Sequence, residues 1–89
     1  MDKAITLSCV FVFARPKNHF RTNGQLKPSA PKHCSGRIGD ISKLVRAVED
    51  AMTGIVYNDD AQIINLIAHR RFANDREQPC AIITVTALS

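Results

Sequence analysis

The chain lacks the patterns that would place it among disulfide-bonded or zinc-bound small domains. Its three cysteines, Cys9, Cys34 and Cys80, are odd in number and share no close pair, so neither a disulfide framework nor a Cys-x-x-Cys zinc site can be built from them. His33 and Cys34 are adjacent and cannot both reach one metal in an ordinary geometry. Cys9 and Cys80 sit in apolar runs and read as small core hydrophobes. No apolar run approaches the length of a membrane span. No small-residue cleavage site follows the apolar stretch Ala4–Ala14, where Arg15, Pro16 and Lys17 come instead, so no leader is expected and a cytoplasmic location is. Neither a GxxxxGK[ST] phosphate loop nor a GxGxxG dinucleotide fingerprint occurs, and the chain has no internal repeat. His19, His33 and His69 are scattered and suggest no catalytic triad.

Acid is also scarce where base is abundant. From Arg15 to Arg46 the chain carries Arg15, Lys17, Arg21, Lys27, Lys32, Arg37, Lys43 and Arg46, with Asp40 as the one acid between them. The net charge of +4 is unremarkable by itself. A run of one sign on an extended segment is what contact with phosphates requires, although a solvated loop would look the same. A chain of 89 residues makes one domain, and at that size roughly 60–65% of the unfolded surface is buried. The core is therefore marginal, and dimerisation would relieve it. The 45% hydrophobic share is that of a folded globular domain.

Periodicity predicts the elements. Over Ala4–Ala14, Ile5, Leu7, Cys9, Phe11 and Phe13 alternate with Thr6, Ser8, Val10 and Val12, the period of a strand that Pro16 ends. Residues 15–39 carry three prolines and three glycines and no period, which predicts a long basic loop, either a floppy connector or an arm lying on a polyanion. Ile41, Leu44, Val45, Val48 and Met52 mark one face of a helix over 41–53, with Asp40 as N-cap and Gly54 as stop. Arg46 and Asp50, four apart, can pair on its exposed side. Ile55-Val56-Tyr57 reads as a short strand, and Asn58-Asp59-Asp60 as a turn. Ala61–Arg71 reads as a strand covered on both faces, and Cys80–Leu88 as a last one. The expected fold is α/β (α+β), with a small mixed sheet of about four strands and one main helix.

The acids around the helix and the turn are Asp40, Asp50, Asp59 and Asp60. Carboxylates converging from a helix start and a strand start are what a hydrated magnesium ion needs. Lys43 and Arg46 lie close enough in sequence to steady a phosphate. Each acid taken singly also fits a plain structural role, as a cap, a turn or a solvated partner.

Gly39-Asp40-Ile41-Ser42-Lys43-Leu44-Val45-Arg46, then Asp50-Ala51-Met52-Thr53-Gly54, then Asp59-Asp60-Ala61-Gln62, resemble in order and spacing the signature of the RusA family of Holliday-junction resolvases. Arg15-Pro16-Lys17 and Leu26–Pro31 are similar to the loop of members from actinobacterial phages, so the likeness spans nearly the whole chain. The resemblance implies a RusA-like fold and a magnesium-dependent endonuclease, with manganese as an alternative ion, cutting four-way DNA junctions as a homodimer. It implies no small-molecule cofactor and no membrane. It assigns catalysis to Asp40, Asp60 and Arg46, and metal binding to Asp40 and Asp60 with Asp59 beside them. Arg15, Lys17, Arg21, Lys27, Lys32, Arg37 and Lys43 would lie along the DNA backbone. Ser42 and Asp50 fall inside the motif without a defined role. In the family pattern position 42 is a second Asp and position 46 often a Lys, and an earlier strand and helix usually precede the first strand. Ser42 is a neutral, weaker magnesium ligand, so a protein that holds junctions but cuts them poorly is the alternative reading.

Overall fold

Strand β1, Ile5–Phe13, is the element on which the others assemble. In the computed structural model, which describes residues 3–35 and 40–88, β1 lies at the centre of a three-stranded sheet. Strand β2, Ile63–Phe72, pairs with it in parallel on one side, and strand β3, Cys80–Ala87, pairs antiparallel on the other. Helix α1, Ile41–Met52, makes the crossover between the parallel strands, as such a connection requires. The expected mixed α/β architecture with one main helix is what the chain forms.

The alternation of β1 decides where the core sits. Ile5, Leu7, Cys9 and Phe11 are buried, at 5% exposure or less. Leu7, Cys9 and Phe11 pack with Val45 of α1, and around them lie Ile41, Leu44, Val48 and Met52 from the helix and Ile63, Ala68, Ile83 and Val85 from the edge strands. The helical stripe predicted from periodicity is thus the stripe that meets the sheet. Asp40 caps the helix by accepting from the Ser42 amide at 3.3 Å. At the other end the Thr53 amide donates to the Glu49 carbonyl at 2.9 Å, and Gly54 turns the chain at φ +82°.

Four expectations are corrected. The segment Ile55-Val56-Tyr57 is a tight turn, not a fourth strand. The Ile55 and Val56 amides donate to the Met52 carbonyl, and the Gly54 amide donates to the Tyr57 carbonyl at 2.6 Å. Closed on itself in this way, the segment makes a single bridge, Tyr57 to Thr53, in place of a strand, and Tyr57 returns to the core. Strand β2 is not covered on both faces. Sheet order puts it at an edge, with Ile64 62%, Leu66 50% and Ile67 56% exposed. Cys80, which opens the other edge strand, is exposed where a core position was expected, whereas Cys9 is buried. Arg46 and Asp50 form no ion pair. Among the described residues no helix is long and apolar enough to cross a membrane.

The loop after β1 is anchored to the sheet. The Arg15 guanidinium lies 4.3 Å over the Phe72 ring and donates to the Pro31 carbonyl at 2.8 Å, while His19 meets the same ring edge-on. Within the loop the Lys27 amide donates to the His19 carbonyl and the Arg21 amide to the Gln25 carbonyl, closing a small hairpin around Gly24. Over residues 15–31 the connector is therefore held by its own hydrogen bonds and by one cation over one ring.

Because Leu7 is fully buried between helix and sheet, Leu7→Ala should lower unfolding free energy by about 2–5 kcal/mol. Ile55→Ala, at a side chain 83% exposed, should change it by less than about 0.5 kcal/mol. Urea denaturation of the two variants checks the pair, and equal losses would place the core elsewhere.

Candidate active site

Helix α1 presents two stripes. The apolar one faces the sheet. Beside it Ser42, Arg46, Glu49 and Asp50 follow helical spacing down the flank nearest the start of β2. Across from them stands Asp60, held by a single 3₁₀ turn over Asp60–Gln62. Together with Val45 these residues line one open cleft of about 370 Å³.

The turn that carries Asp60 is tightly specified. The Asp59 carboxylate accepts from the Ala61 amide at 2.9 Å, and the Gln62 side-chain oxygen accepts from the Asn58 and Asp59 amides at 2.7 and 2.8 Å. This reciprocal cap satisfies the free amides of the turn. The Gln62 side-chain amide reaches back to the Lys3 carbonyl at 2.7 Å and ties the turn to the chain preceding β1. The Ala61 amide beside Asp59 holds that carboxyl below its usual range. Asp59 is thereby turned to capping, and Asp60, its neighbour, is the one that lines the cleft.

Of the residues singled out in the sequence, Ser42, Arg46, Asp50 and Asp60 come together. Asp40, Asp59 and Lys43 lie outside the lining, with Asp40 exposed at the helix mouth and engaged as its cap. Arg15 and Lys32 line a separate cleft at the other end of the sheet. Lys17 and Arg21 are exposed on the loop and Lys27 is half-buried. Arg37 lies outside the described residues. The residue that sequence reasoning passed over is Glu49. It stands outside the family motif, but its spacing of seven from Ser42 puts it on the same flank, and that signal was present.

Glu49 also touches the interior electrically. Tyr57 is 1% exposed and its hydroxyl has no hydrogen-bond partner among the described residues. The nearby Thr53 hydroxyl donates instead to the Glu49 carbonyl at 2.7 Å. Burial pushes the Tyr57 phenol above its ordinary value, and the carboxylates of Glu49 and Asp60 push it further the same way. Burial, with Glu49 adding to it, likewise raises Cys9. The acids of the cleft thus stand close against the end of the core.

The donors offered are hydroxyl and carboxylate oxygens, the chemistry of a hard divalent cation. Among the described residues no group of three or more His, Cys, Asp or Glu converges tightly enough to cage an ion. The set fits magnesium, which binds through one or two carboxylates and keeps waters for the rest. It does not fit zinc, which wants nitrogen and sulfur. Arg46 on the same wall adds a guanidinium to the cleft.

Tyr57 is the single tyrosine of the chain, and there is no tryptophan. Its ionisation can therefore be followed directly by absorbance near 295 nm. The midpoint should lie above the ordinary value of 10.0 in the folded protein and return to it in urea. Since the folded value is raised, the associated stabilisation is present below pH 10 and is lost as pH climbs through the folded midpoint. A midpoint at or below 10 in the folded protein would mean that the phenol is not sealed beside the two carboxylates.

A family model described as Endodeoxyribonuclease RusA matches residues 1–86. No curated protein and no solved structure matches the chain.

Proposed function

The chain belongs to the RusA endodeoxyribonuclease family, whose members act on branched DNA, and from that premise we propose that it cuts Holliday junctions and related branched DNA in a magnesium-dependent reaction. The observation that carries the reading is the cleft that sets Asp60 against Ser42, Arg46, Glu49 and Asp50. Asp60, one of the acids assigned by family resemblance, would hold Mg²⁺ or Mn²⁺ with Asp50 as an oxygen donor on the helix wall, whereas Asp40, the other, stands outside the lining as the helix cap and would have to leave that bond to join them. When bound, such an ion would supply Lewis-acid stabilisation of the scissile phosphate and help activate the attacking water. Arg46 would hold a non-bridging phosphate oxygen and orient the group for in-line attack. As a guanidinium it stays protonated, so it clamps and does not transfer protons. The Glu49 carboxylate on the same wall would accept the proton of the attacking water. Loop cations, Arg15, Lys17, Arg21, Lys27 and Lys32 among them, would lie along the backbone and give affinity without sequence readout.

A homodimer suits the reading, since two copies could nick opposing strands. The sheet face away from α1 supports it, because Ile67 and Ile82 stand there 56% and 44% exposed. Ser42 favours a second reading, in which the chain holds junctions and cuts them slowly. A neutral hydroxyl stands on the cleft wall where the family pattern has a carboxylate, and metal affinity is correspondingly weaker.

Cleavage of a synthetic four-way junction with Mg²⁺ or Mn²⁺, beside a matched duplex, tests both. Paired nicks confined to the junction, reduced about 100-fold or more in Asp60→Asn, are expected, and Ser42→Asp should raise the rate about tenfold. Tight junction binding without nicks, unimproved by Ser42→Asp, would establish the binding reading. Absence of both binding and cutting would overturn the function.

A further inference from the structure

At the end of the sheet remote from Asp60 a second cleft opens, of about 580 Å³ and polar in lining. Arg15 and Lys32 reach it from the long loop, Arg71 from the end of β2, and Asn74 and Arg76 from the turn before β3. Two segments more than thirty residues apart in sequence thus pool their cations. Against these stand Asp75 in the cleft and Glu77, which accepts from Arg71 in a two-pronged ion pair with Nη2–Oε2 at 2.7 Å. Arg71 beside it, with the Asn74 amide, holds the Glu77 carboxyl down to about 2, so the pair stays charged. Arg71 is therefore committed to bracing the turn. Arg15 is fixed by the Phe72 ring and the Pro31 carbonyl. Lys32 and Arg76 are exposed and form no ion pair among the described residues, and the Asn74 side chain adds a neutral donor.

We infer that this cleft binds backbone phosphates of a DNA arm leading away from the cleavage position, with Lys32 and Arg76 as the contacting cations, Asn74 as a hydrogen-bond donor, and Arg15 and Arg71 as the braced wall. The inference rests on the DNA reading above and adds to it a second, distant point of attachment. The geometry gives that attachment a length. Asp60 leads directly into Ile63, and from Ile63 to Arg71 the extended strand covers eight residues, or about 26 Å at a rise of ~3.3 Å each. The molecule, 52 Å along its longest axis, easily contains this span. A duplex advancing ~3.4 Å per base pair needs about seven or eight pairs to touch both points. Shorter arms can occupy the acidic cleft but cannot reach the basic one.

The test is equilibrium binding of the full chain, without divalent metal, to four-way junctions and to plain duplexes. Junction arms are closed by hairpins at 5 or 20 base pairs, and each set is titrated across salt. Lys32→Ala/Arg76→Ala is compared with the wild type after circular dichroism shows the same fold. On 20-pair arms the double variant should bind about 10- to 100-fold more weakly, with the slope of log affinity against log salt reduced by about 2. On 5-pair arms the two proteins should bind alike. An equal loss on both arm lengths, or no loss on either, overturns the inference. A wild type that gains affinity with arm length but prefers no junction over duplex fails the junction reading and leaves this cleft standing. A wild type that prefers junctions regardless of arm length does the reverse.

Discussion

The contact between the inward face of β1 and the apolar stripe of α1 is the constraint from which the remaining geometry follows. Leu7, Cys9 and Phe11 are covered by Val45 and its helical neighbours, with Ile63, Ala68, Ile83 and Val85 of the flanking strands beside them. Removing each such side chain from water contributes about 2 kcal/mol, so the helix is pinned in rotation as well as in position. Once it is pinned, the residues a fraction of a turn away cannot choose their surroundings. Ser42, Arg46, Glu49 and Asp50 are carried to the flank of the helix that overlooks the start of β2. The cleft is a seam left beside the packing contact, and its residues are exposed because the contact is narrow.

That arrangement explains which parts of the molecule could be read from sequence. Strand β1 and helix α1 each bury one face, and one-sided burial writes a period into the chain. The boundaries of both were legible to within a residue or so. Strand β2 misled for the same physical reason. Ile64, Leu66 and Ile67 give it apolar side chains on both faces, and that pattern normally marks a covered strand. In this sheet they stand at an edge. Composition reports what a segment would prefer to bury, not whether a partner is there to bury it. The turn at Ile55–Tyr57 was misread in a related way: three β-favouring residues follow the helix, yet Gly54 bends the chain so sharply that they close onto Met52, and the pairing left to them is a single bridge from Tyr57 back to Thr53.

The site was legible in part. Asp60, Ser42, Arg46 and Asp50 were singled out by motif, and they meet. Asp40 and Asp59 were singled out by the same motif, and both are occupied with backbone amides at the ends of short helical segments. No spacing rule separates an acid that faces a cleft from one that caps a turn, since both sit where a helix begins. Only the direction of the side chain does. Glu49 shows the converse. Its position on the helical flank was computable, but a motif directs attention to the residues it contains, and Glu49 is not one of them. The basic cleft was beyond reach for a third reason. Its cations come from Arg15 and Lys32 on one side of the chain and Arg71 and Arg76 on the other, and only the parallel pairing of β1 with β2 brings the ends of those segments together.

The polarity of that pairing also sorts the charge. In a parallel pair both strands begin at one end and finish at the other. The acids that introduce β2 therefore collect near the start of β1, while the cations that follow each strand collect at the opposite end. An antiparallel pairing of the same two segments would have set Arg15 beside Asp60, and the opposite charges would have neutralised one another. The crossover helix makes the parallel arrangement possible, and it contributes the remaining acids, Glu49 and Asp50, to the end where its own C-terminal half lies. A polyanion approaching this sheet meets attraction at one end and needs a counter-cation at the other. Under the proposed DNA reading, that asymmetry would orient a strand of phosphates along the sheet without reading a base. At the acidic end Arg46 is the cation among the lining residues, and a divalent ion would supply the rest of the positive charge that phosphates need there.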